Sequence, residues 1–271
     1  MRKLFLFIVV IILGLSAFLN LYFLQDATRV SALKEKIKTI THRTEMEKSL
    51  KANPEVMAFF KEKKFTSKTA ELDYIRHWIF ENTFGTGDTN YIDSFDPKIT
   101  LHDIYQSYIK KSNSPPMSCG PRALAMQELL YMLGFETRFV SIFFQNNPNM
   151  IGSHSFLEIY NEDTKRWEIQ DPLNDVYYKD SEGNRLNTLQ ITMMEKLDFL
   201  PCRDSLNCGV KVLPYNFIEL TESFKIVSIK PKEGDFIVLL NSKYYTKEKV
   251  YPIDGTTLEG YFKNYKNIIL Y

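Results

Sequence analysis

The stretch Ser118-Cys119-Gly120-Pro121-Arg122-Ala123-Leu124-Ala125-Met126 decides how the rest of the chain is interpreted. A serine is a favourable N-cap and a proline is tolerated in a first helical turn, so the stretch predicts a helix that begins at Cys119. The apolar pattern continues to Leu133, and Gly134 predicts the end of the helix. Unpaired amides and the helix dipole favour a thiolate in the first turn. The alternative is a small residue that lets the helix start pack closely against a neighbour.

Two later segments carry the polar residues that would complete such a cysteine site. His154 begins one predicted strand, Asp171 ends the next, and the polar turn at 161–165 predicts a hairpin between them. Counted outward from the turn, antiparallel pairing places the two side chains nearly opposite each other. The carboxylate can then fix one imidazole nitrogen while the other faces the thiol. Cys119, His154 and Asp171 are therefore the candidate nucleophile, base and orienting carboxylate.

The same region resembles the transglutaminase-like superfamily of papain-related enzymes. That superfamily has a Cys-Gly helix start, a leucine-rich helix ending in Leu-Gly, a strand with an arginine, a His-x-x-x-Glu strand and a strand from Trp to Asp-Pro. The corresponding residues here are Cys119-Gly120, Leu129-Leu130, Leu133-Gly134, Arg138-Phe139-Val140, His154 to Glu158, and Trp167 to Asp171-Pro172. The resemblance covers the region from Leu72 to Leu189, and it departs at Ser155-Phe156, where Ala-Trp is more usual.

The resemblance implies an α+β fold with a papain/transglutaminase-like core, in which the nucleophile helix packs on an antiparallel sheet. It also implies a catalytic triad of Cys119, His154 and Asp171, with an acyl-enzyme on the thiol. The expected function is a cysteine enzyme that hydrolyses amide or peptide bonds or transfers the acyl group, without metal or cofactor. The alternative is a catalytically idle binding or scaffold protein that has kept the fold. A zinc site formed by the same three residues is a less favoured interpretation, because structural zinc sites usually offer four ligands.

The N-terminus predicts a membrane anchor. An uncharged apolar run from Leu4 to Leu24 follows Met1-Arg2-Lys3, and about 20 residues suffice to span a bilayer as a helix. The basic pair predicts a cytoplasmic tip at 1–3, with the remaining chain outside the cytoplasm, either periplasmic or at the cell surface. A cleaved signal peptide is the alternative, but its apolar core is usually shorter and ends at small residues. The expected substrate is then a protein or peptide-like amide of the cell envelope.

Charge and cysteine content restrict the partners and the compartment. A formal net charge of +1 gives no reason to expect a nucleic acid partner. The three cysteines suit an oxidising compartment, because Cys202 and Cys208 are spaced for a small loop disulfide. That pairing would leave Cys119 as the odd thiol. The other possibility, that all three are free, stays open from spacing alone.

The remaining chain divides into an amphipathic stalk at 25–52, the transglutaminase-like domain at 53–200 and a β-rich C-terminal extension at 201–271. Helical spacing of apolar residues predicts helices at 54–64, 68–81, 101–111 and 189–197. His77 and Trp78 are interpreted as packing residues, and Tyr105, Gln106 and Tyr108 as weak candidates for assisting an oxyanion. The C-terminal apolar runs at 225–229, 236–240 and 268–271 predict strands, which form either a separate appendage or an extension of the main sheet.

Overall fold

The computed structural model describes residues 46–85, 96–147, 150–194, 198–209, 226–231, 237–240 and 267–270. The predicted anchor at 4–24 lies outside these residues, as does the predicted stalk at 25–52 apart from a helical segment at 46–52. Within the described part of the chain, no helix is both long enough and apolar enough to cross a membrane. Ser49–Tyr271 forms one compact unit.

After the helical segment at 46–52, four helices precede the main sheet in the chain: α1 (Pro54–Glu62), α2 (Lys68–Glu81), α3 (Pro97–Lys110) and α4 (Cys119–Met132). The bounds predicted for α2 are confirmed, and the Ser67 hydroxyl caps this helix by accepting from the Ala70 amide at 3.0 Å. Helix α3 starts earlier than predicted, because Asp96 accepts from the Lys98 amide at 2.9 Å and Pro97 suits the first turn.

The strands are, in chain order, β1 (Thr137–Asn147), β2 (Met150–Asn161), β3 (Arg166–Gln170), β4 (Tyr177–Asp180), β5 (Phe199–Cys202), β6 (Ile226–Pro231), β7 (Ile237–Leu240) and β8 (Asn267–Leu270). Six of them form one sheet in the order β3-β2-β1-β6-β7-β8, and β4 pairs with β5 separately. Every pair is antiparallel except β7 with β8. The short helix α5 (Thr188–Met193) lies between β4 and β5 in the chain. The fold is therefore a mixed α and β structure with mainly antiparallel pairing.

The C-terminal strands continue the main sheet. Strand β6 pairs with β1 in a register that sets Val140 opposite Ile229, on the edge of β1 that faces away from β2. Strands β7 and β8 follow β6 outward. Of the two arrangements that the sequence left open, an appendage or an extension of the sheet, the structure has the extension. Strand β1 consequently has hydrogen-bonded partners on both edges.

A disulfide joins Cys202 to Cys208 and closes the loop that follows β5. Inside the loop the Arg203 amide donates to the Asn207 carbonyl at 2.9 Å. Of the two possibilities that the spacing left open, a disulfide or three free cysteines, the structure has the disulfide. Cys119 is the free cysteine.

The two faces of β2 contribute to different apolar cores. Leu157 and Ile159 pack with buried residues of α1 to α4, whereas Phe156 packs with Ile169 and with Tyr178 of β4. This division follows from the pleat, because successive side chains of a strand point to opposite faces. His154 is two residues before Phe156 and therefore lies on the face of the second core.

Candidate active site

The nucleophile helix begins where the sequence predicts. Cys119 is the first residue of α4 and Ser118 occupies the N-cap position, although its hydroxyl makes no capping hydrogen bond. The amides of Cys119 and Gly120 precede the first intrahelical bond and have no acceptor within the described part of the chain. Gly134 follows the helix with a φ of +86°, the left-handed conformation that a glycine stop provides. The helix start thus leaves two amides available beside the thiol.

The segment that leads into Cys119 is fixed from outside the helix. The Met117 amide donates to the Phe84 carbonyl at 2.8 Å, and the Phe84 amide donates to the Pro115 carbonyl at 3.2 Å. Phe84 follows α2, so the residues after α2 hold the segment that leads into Cys119. A substituent built at Gly120 would meet nothing within 4 Å. The side of the helix start next to the cysteine is therefore open.

His154 and Asp171 meet as predicted, although through a different register. The imidazole Nε2 donates to the Asp171 Oδ2 at 2.7 Å, and both side chains are buried. The strand pairing sets Leu157 opposite Gln170, so its continuation sets Asp171 opposite Phe156 and not opposite His154. The prediction that the two residues share one rung is wrong by two residues. The contact survives because a shift of two keeps every side chain on the same face.

This shift comes from the turn. Asn161 pairs with Arg166 and so belongs to β2 rather than to the turn, which leaves residues 162–165 as the connection. Strand β2 also begins at Met150, so His154 lies inside the strand and not at its start. Lys165 has a φ of 55°, the left-handed conformation in which the chain enters β3.

Asp171 is held by several donors besides the imidazole. Its Oδ1 accepts from the amides of Leu173 at 3.0 Å and Asn174 at 3.3 Å, and its Oδ2 accepts from the Asn174 side-chain amide at 2.6 Å. The Asn174 Nδ2 also lies 3.4 Å from the imidazole Nε2. These donors fix the carboxylate, which in turn fixes the plane of the His154 ring.

The thiol of Cys119 completes the arrangement. It is hydrogen-bonded to the His154 side chain and to the Ser155 backbone. Because the imidazole Nε2 is bonded to Asp171, the Nδ1 atom is the nitrogen left for the thiol. The order is therefore thiol, imidazole and carboxylate, with Nδ1 facing the thiol and Nε2 facing the carboxylate.

The electrostatics of the site favour the ion pair between thiolate and imidazolium. Burial raises the pKa of Cys119, but the hydrogen bond and charge of His154 outweigh it and leave this pKa below its ordinary value. Burial lowers the pKa of His154, but the charge and hydrogen bond of Asp171 together with Cys119 raise it to about 10. Burial raises the pKa of Asp171, yet the charge and hydrogen bond of His154 and the bonds from Asn174 lower it overall.

Two residues that contact this arrangement have no distinctive signal in the sequence. Asn174 braces Asp171 from the turn that follows it, and Arg122 extends from α4 to the carbonyls of the same turn. The Asp-Pro-x-Asn spacing from Asp171 to Asn174 is typical of a turn, but it does not show that the amide returns to the carboxylate. Arg122 stands in the quoted helix stretch, where an arginine normally predicts an exposed position.

A second histidine–carboxylate contact lies on the same turn. The His77 Nδ1 is 2.7 Å from the Asp175 Oδ2, and the buried Arg76 donates to Asp175 Oδ1 at 2.9 Å. The His77 side chain is 52% exposed, so its interpretation as a packing residue is wrong. Trp78 is buried among the aromatic rings of Phe59 and Phe60, as a packing residue should be.

The three side chains considered for assisting an oxyanion are engaged elsewhere. The Gln106 amide donates to Glu55 at 3.4 Å, and the rings of Tyr105 and Tyr108 pack on Phe59. None of the three hydrogen-bonds to the site residues in the described part of the chain.

The remaining motif residues form a packed group beside β2. The Arg138 guanidinium carbon lies 3.5 Å from the centroid of the Trp167 ring, and the Arg138 Nη1 is 3.8 Å from the Glu158 Oε2. Glu158 also accepts from the Thr188 amide at 2.6 Å, which ties α5 to the sheet. Their contacts indicate a structural role. Where the structure describes the chain, no group of three or more His, Cys, Asp or Glu residues could hold a metal ion.

Comparison with known proteins yields little. The chain matches no protein-family profile and no curated protein. Among solved structures it is similar to an inferred cysteine protease from Cytophaga hutchinsonii, with 14% identity and a TM-score of 0.30. The alignment covers 73% of this chain and 50% of the other, so the chain spans about half the length of that protein. A TM-score of this size does not establish a shared fold.

Proposed function

We propose that this chain is a cysteine enzyme of the transglutaminase-like type, with a papain-related core and Cys119, His154 and Asp171 as its catalytic triad. The observation that carries the proposal is the unbroken hydrogen-bonded sequence from the Cys119 thiol through His154 to Asp171, with 2.7 Å between the imidazole and the carboxylate. The lowered pKa of Cys119 and the raised pKa of His154 support a reactive thiolate. The order of the nucleophile helix followed by antiparallel strands supports the core.

The chemistry proposed is acyl transfer through a thioester. The Cys119 thiolate attacks an amide or peptide carbonyl carbon, and the tetrahedral intermediate forms. The imidazolium of His154 gives its proton to the leaving nitrogen as the carbon–nitrogen bond breaks. Water or an amine then attacks the thioester, His154 takes the proton of the attacking group, and the thiolate leaves. Asp171 keeps the ring oriented and stabilises its charge throughout.

The helix start offers donors for the oxyanion. The amides of Cys119 and Gly120 lack acceptors within the described residues, and the dipole of α4 favours negative charge at this end. The open space beside Gly120 suits a substrate that approaches along the helix start. A bulky residue at position 120 would obstruct that approach.

We propose further that the domain lies outside the cytoplasm on an uncleaved N-terminal anchor and acts on a protein or peptide-like amide of the envelope. The apolar run from Leu4 to Leu24 supports the anchor. The disulfide between Cys202 and Cys208 supports an oxidising compartment.

The test is peptide-resolved alkylation of the full-length chain with iodoacetamide across a range of about pH 5 to 9, where free thiols ionise. Rapid labelling of Cys119 that persists well below the ordinary thiol pKa of about 8.5 is expected in the wild type. His154→Ala should abolish the rapid labelling at low pH, because the thiolate loses its partner.

A matched control is His102→Ala on α3, since His102 is exposed and takes part in none of the hydrogen bonds described above for the site. It should label as the wild type does. Slow labelling of Cys119 with an ordinary pH midpoint, unchanged in His154→Ala, would contradict the proposed enzymatic function. It would favour a catalytically idle scaffold protein. If labelling is rapid, amide donors can be screened for thioester formation at Cys119.

A further inference from the structure

Arg122 is a buried arginine that has no carboxylate partner among the residues the structure describes. It lies one turn after Cys119 on α4 and is 2% exposed. In the described part of the chain its guanidinium forms no ion pair with a carboxylate, and its Nε is buried without an acceptor. Arginines are almost never fully buried unless they are paired. Burying such a charge is costly unless other charges compensate it.

Its hydrogen bonds connect the nucleophile helix to the turn that carries Asp171. The Nη1 donates to the Leu173 carbonyl at 3.1 Å and lies 3.5 Å from the Pro172 carbonyl. The guanidinium carbon is 5.7 Å from the centroid of the Phe80 ring, which comes from α2. The side chain therefore spans the gap between the helix with the nucleophile and the residues directly after Asp171.

The charged groups of the site can compensate the buried positive charge of Arg122. When the proton has moved from thiol to imidazole, Cys119 and Asp171 are negative and His154 is positive, which leaves one buried negative charge in excess. Arg122 supplies the missing positive charge and makes the group neutral. Burial lowers the pKa of Arg122 to about 10, while the charges of Asp171 and Cys119 oppose that decrease.

This interaction is reciprocal. If a thiolate at Cys119 and a carboxylate at Asp171 favour the charged guanidinium, then the charged guanidinium favours both anions. The charged groups that face this cluster are Cys119 from α4, His154 from β2 and Asp171 after β3. From α2 the Phe80 ring faces the guanidinium, and the carbon of the Arg203 guanidinium lies 5.5 Å from that ring's centroid.

We propose that Arg122 is a positioning residue that keeps the Cys119–His154–Asp171 group ionised by balancing its charge and holds the Asp171 turn against α4. This inference rests on the proposed function, because it concerns the same thiolate. Arg122 would then differ from the other buried residues of α4, whose role is to pack in the core.

The experiment compares two variants of the full-length chain. Arg122→Gln keeps a hydrogen-bond donor but removes the charge, whereas Arg122→Lys keeps the charge. The pH midpoint of Cys119 alkylation should rise by about one unit or more in Arg122→Gln, which corresponds to about tenfold slower labelling on the acid side of the midpoint. Arg122→Lys should restore most of the wild-type midpoint.

The matched control is Arg185→Met, which removes another largely buried arginine, one that is paired with Asp73 at 2.6 Å. It should lower stability and leave the midpoint of Cys119 unchanged. A wild-type midpoint in Arg122→Gln, with rapid labelling, would overturn the inference and leave the proposed function standing. Slow labelling in the wild type itself would overturn the proposed function instead. If both Arg122 variants fail to unfold cooperatively, the guanidinium is needed for folding and the inference is also overturned.

Discussion

Asp171 has more hydrogen-bond donors than a carboxylate needs to hold one imidazole. Two backbone amides and the Asn174 side chain reach it, besides the His154 ring. Each donor stabilises the ionised form, and together they leave the carboxylate one orientation. The residue therefore contributes both a negative charge and a fixed direction for the ring.

Replacing Asp171 with Asn separates these two contributions, because the shape is kept and the charge is lost. The imidazolium of His154 loses the charge of its partner, so the midpoint of Cys119 alkylation should move to higher pH by about one unit or more. The rate of labelling near pH 6 should fall at least about tenfold. Peptide-resolved alkylation at several pH values measures both.

Asp180 provides a matched control for this variant. Its Oδ2 also accepts from an asparagine side chain, Asn184, at 3.0 Å, but no histidine among the described residues is hydrogen-bonded to it. Asp180→Asn should leave the alkylation profile of Cys119 unchanged. A profile that moves equally in both variants would contradict the assignment of Asp171.

The ionisation of His154 also predicts how stability depends on pH. Its pKa is raised to about 10 in the folded chain, above the unfolded value of about 6.5. Its contribution to the free energy of unfolding is therefore fully present below about pH 6.5 and is lost as the pH rises through about 10. Asp171, whose pKa is lowered, contributes above its unfolded value of about 3.9 and loses that contribution in acid.

Urea unfolding at several pH values tests this in a Cys119→Ser background, which removes the titration of the thiol. The difference in free energy of unfolding between the background and its His154→Gln derivative should be largest below about pH 6.5 and should shrink toward about pH 10. The loss should come at a lower pH than in the wild type, because the charge and hydrogen bond of Cys119 no longer raise the pKa of His154. A difference that stays constant over this range would contradict the raised pKa of His154.

At the scale of single residues, the sequence predicted those whose type is distinctive at its position. A cysteine at a helix start and a histidine in a predicted strand carry a chemical meaning before folding. Arg122 and Asn174 do not, because each acquires its role only from contacts that the folded turn creates. Sequence spacing cannot show that a guanidinium turns inward.

Among the elements, the turn after β3 is held from two sides. Asp175 has a φ of 54°, and holding a non-glycine residue in this left-handed region costs of order 1 to 3 kcal/mol. Its carboxylate is bonded to Arg76 at 2.9 Å and His77 at 2.7 Å, and Arg203 lies at 3.6 Å. These three partners hold the end of the turn whose beginning is Asp171.

Asp175→Asn tests this anchor, because asparagine tolerates a positive φ and the variant therefore removes mainly the charge. Arg76 would keep its charge in a buried position without its buried partner, so the free energy of unfolding should fall by about 3 kcal/mol. Urea denaturation measures the change. Asp73→Asn is the comparison variant, since Asp73 pairs with Arg76 at 3.0 Å and with Arg185 at 2.6 Å but is itself 28% exposed.

The comparison variant should cost less than Asp175→Asn, about 1 kcal/mol for each of its two ion pairs, because partly exposed ion pairs are screened by solvent. If Asp73→Asn costs as much as Asp175→Asn, burial of Asp175 is not what makes the anchor strong.

For the hairpin of β2 and β3, the sequence pattern predicted the strands and their faces but not their register. Alternation and turn residues predicted the hairpin and which face each side chain would occupy. They misjudged the register, because the pairing of Asn161 with Arg166 depends on the conformation of the connection at 162–165. The error was two residues, and the face was preserved because the side-chain period of a strand is two.

For the molecule as a whole, the order of strands is what the sequence left open. Local patterns predicted short strands near the C-terminus, but pairing between β1 and β6 joins residues far apart in the chain. The residues of β1 and β6 do not by themselves determine which strand each of them pairs with. The neighbours of β1 therefore became known only from the folded sheet.

This order predicts that the C-terminal strands are needed for the domain to fold. A chain that ends after Gly209 would leave one edge of β1 with unpaired amides and carbonyls, and such an edge promotes aggregation. Size-exclusion chromatography should show mostly aggregates, and urea unfolding should lose its cooperative transition. Of the described strands, a chain that ends after Leu240 loses only the outer strand β8, and it should be affected less. A monomeric, cooperatively unfolding product from the shorter chain would contradict this prediction.

The disulfide loop has a practical consequence for anyone who handles the protein. The Arg203 carbonyl, inside the loop closed by Cys202 and Cys208, accepts a hydrogen bond from Arg76, which in turn anchors Asp175. Cys119 must remain reduced to react, whereas these two cysteines must remain oxidised to keep the loop closed. A strong reductant that keeps Cys119 reduced would also break the disulfide between Cys202 and Cys208. A storage buffer without reductant would keep the disulfide but allow Cys119 to oxidise. Preparations of this protein should therefore be scored by counting free thiols, with one per chain as the mark of an intact molecule.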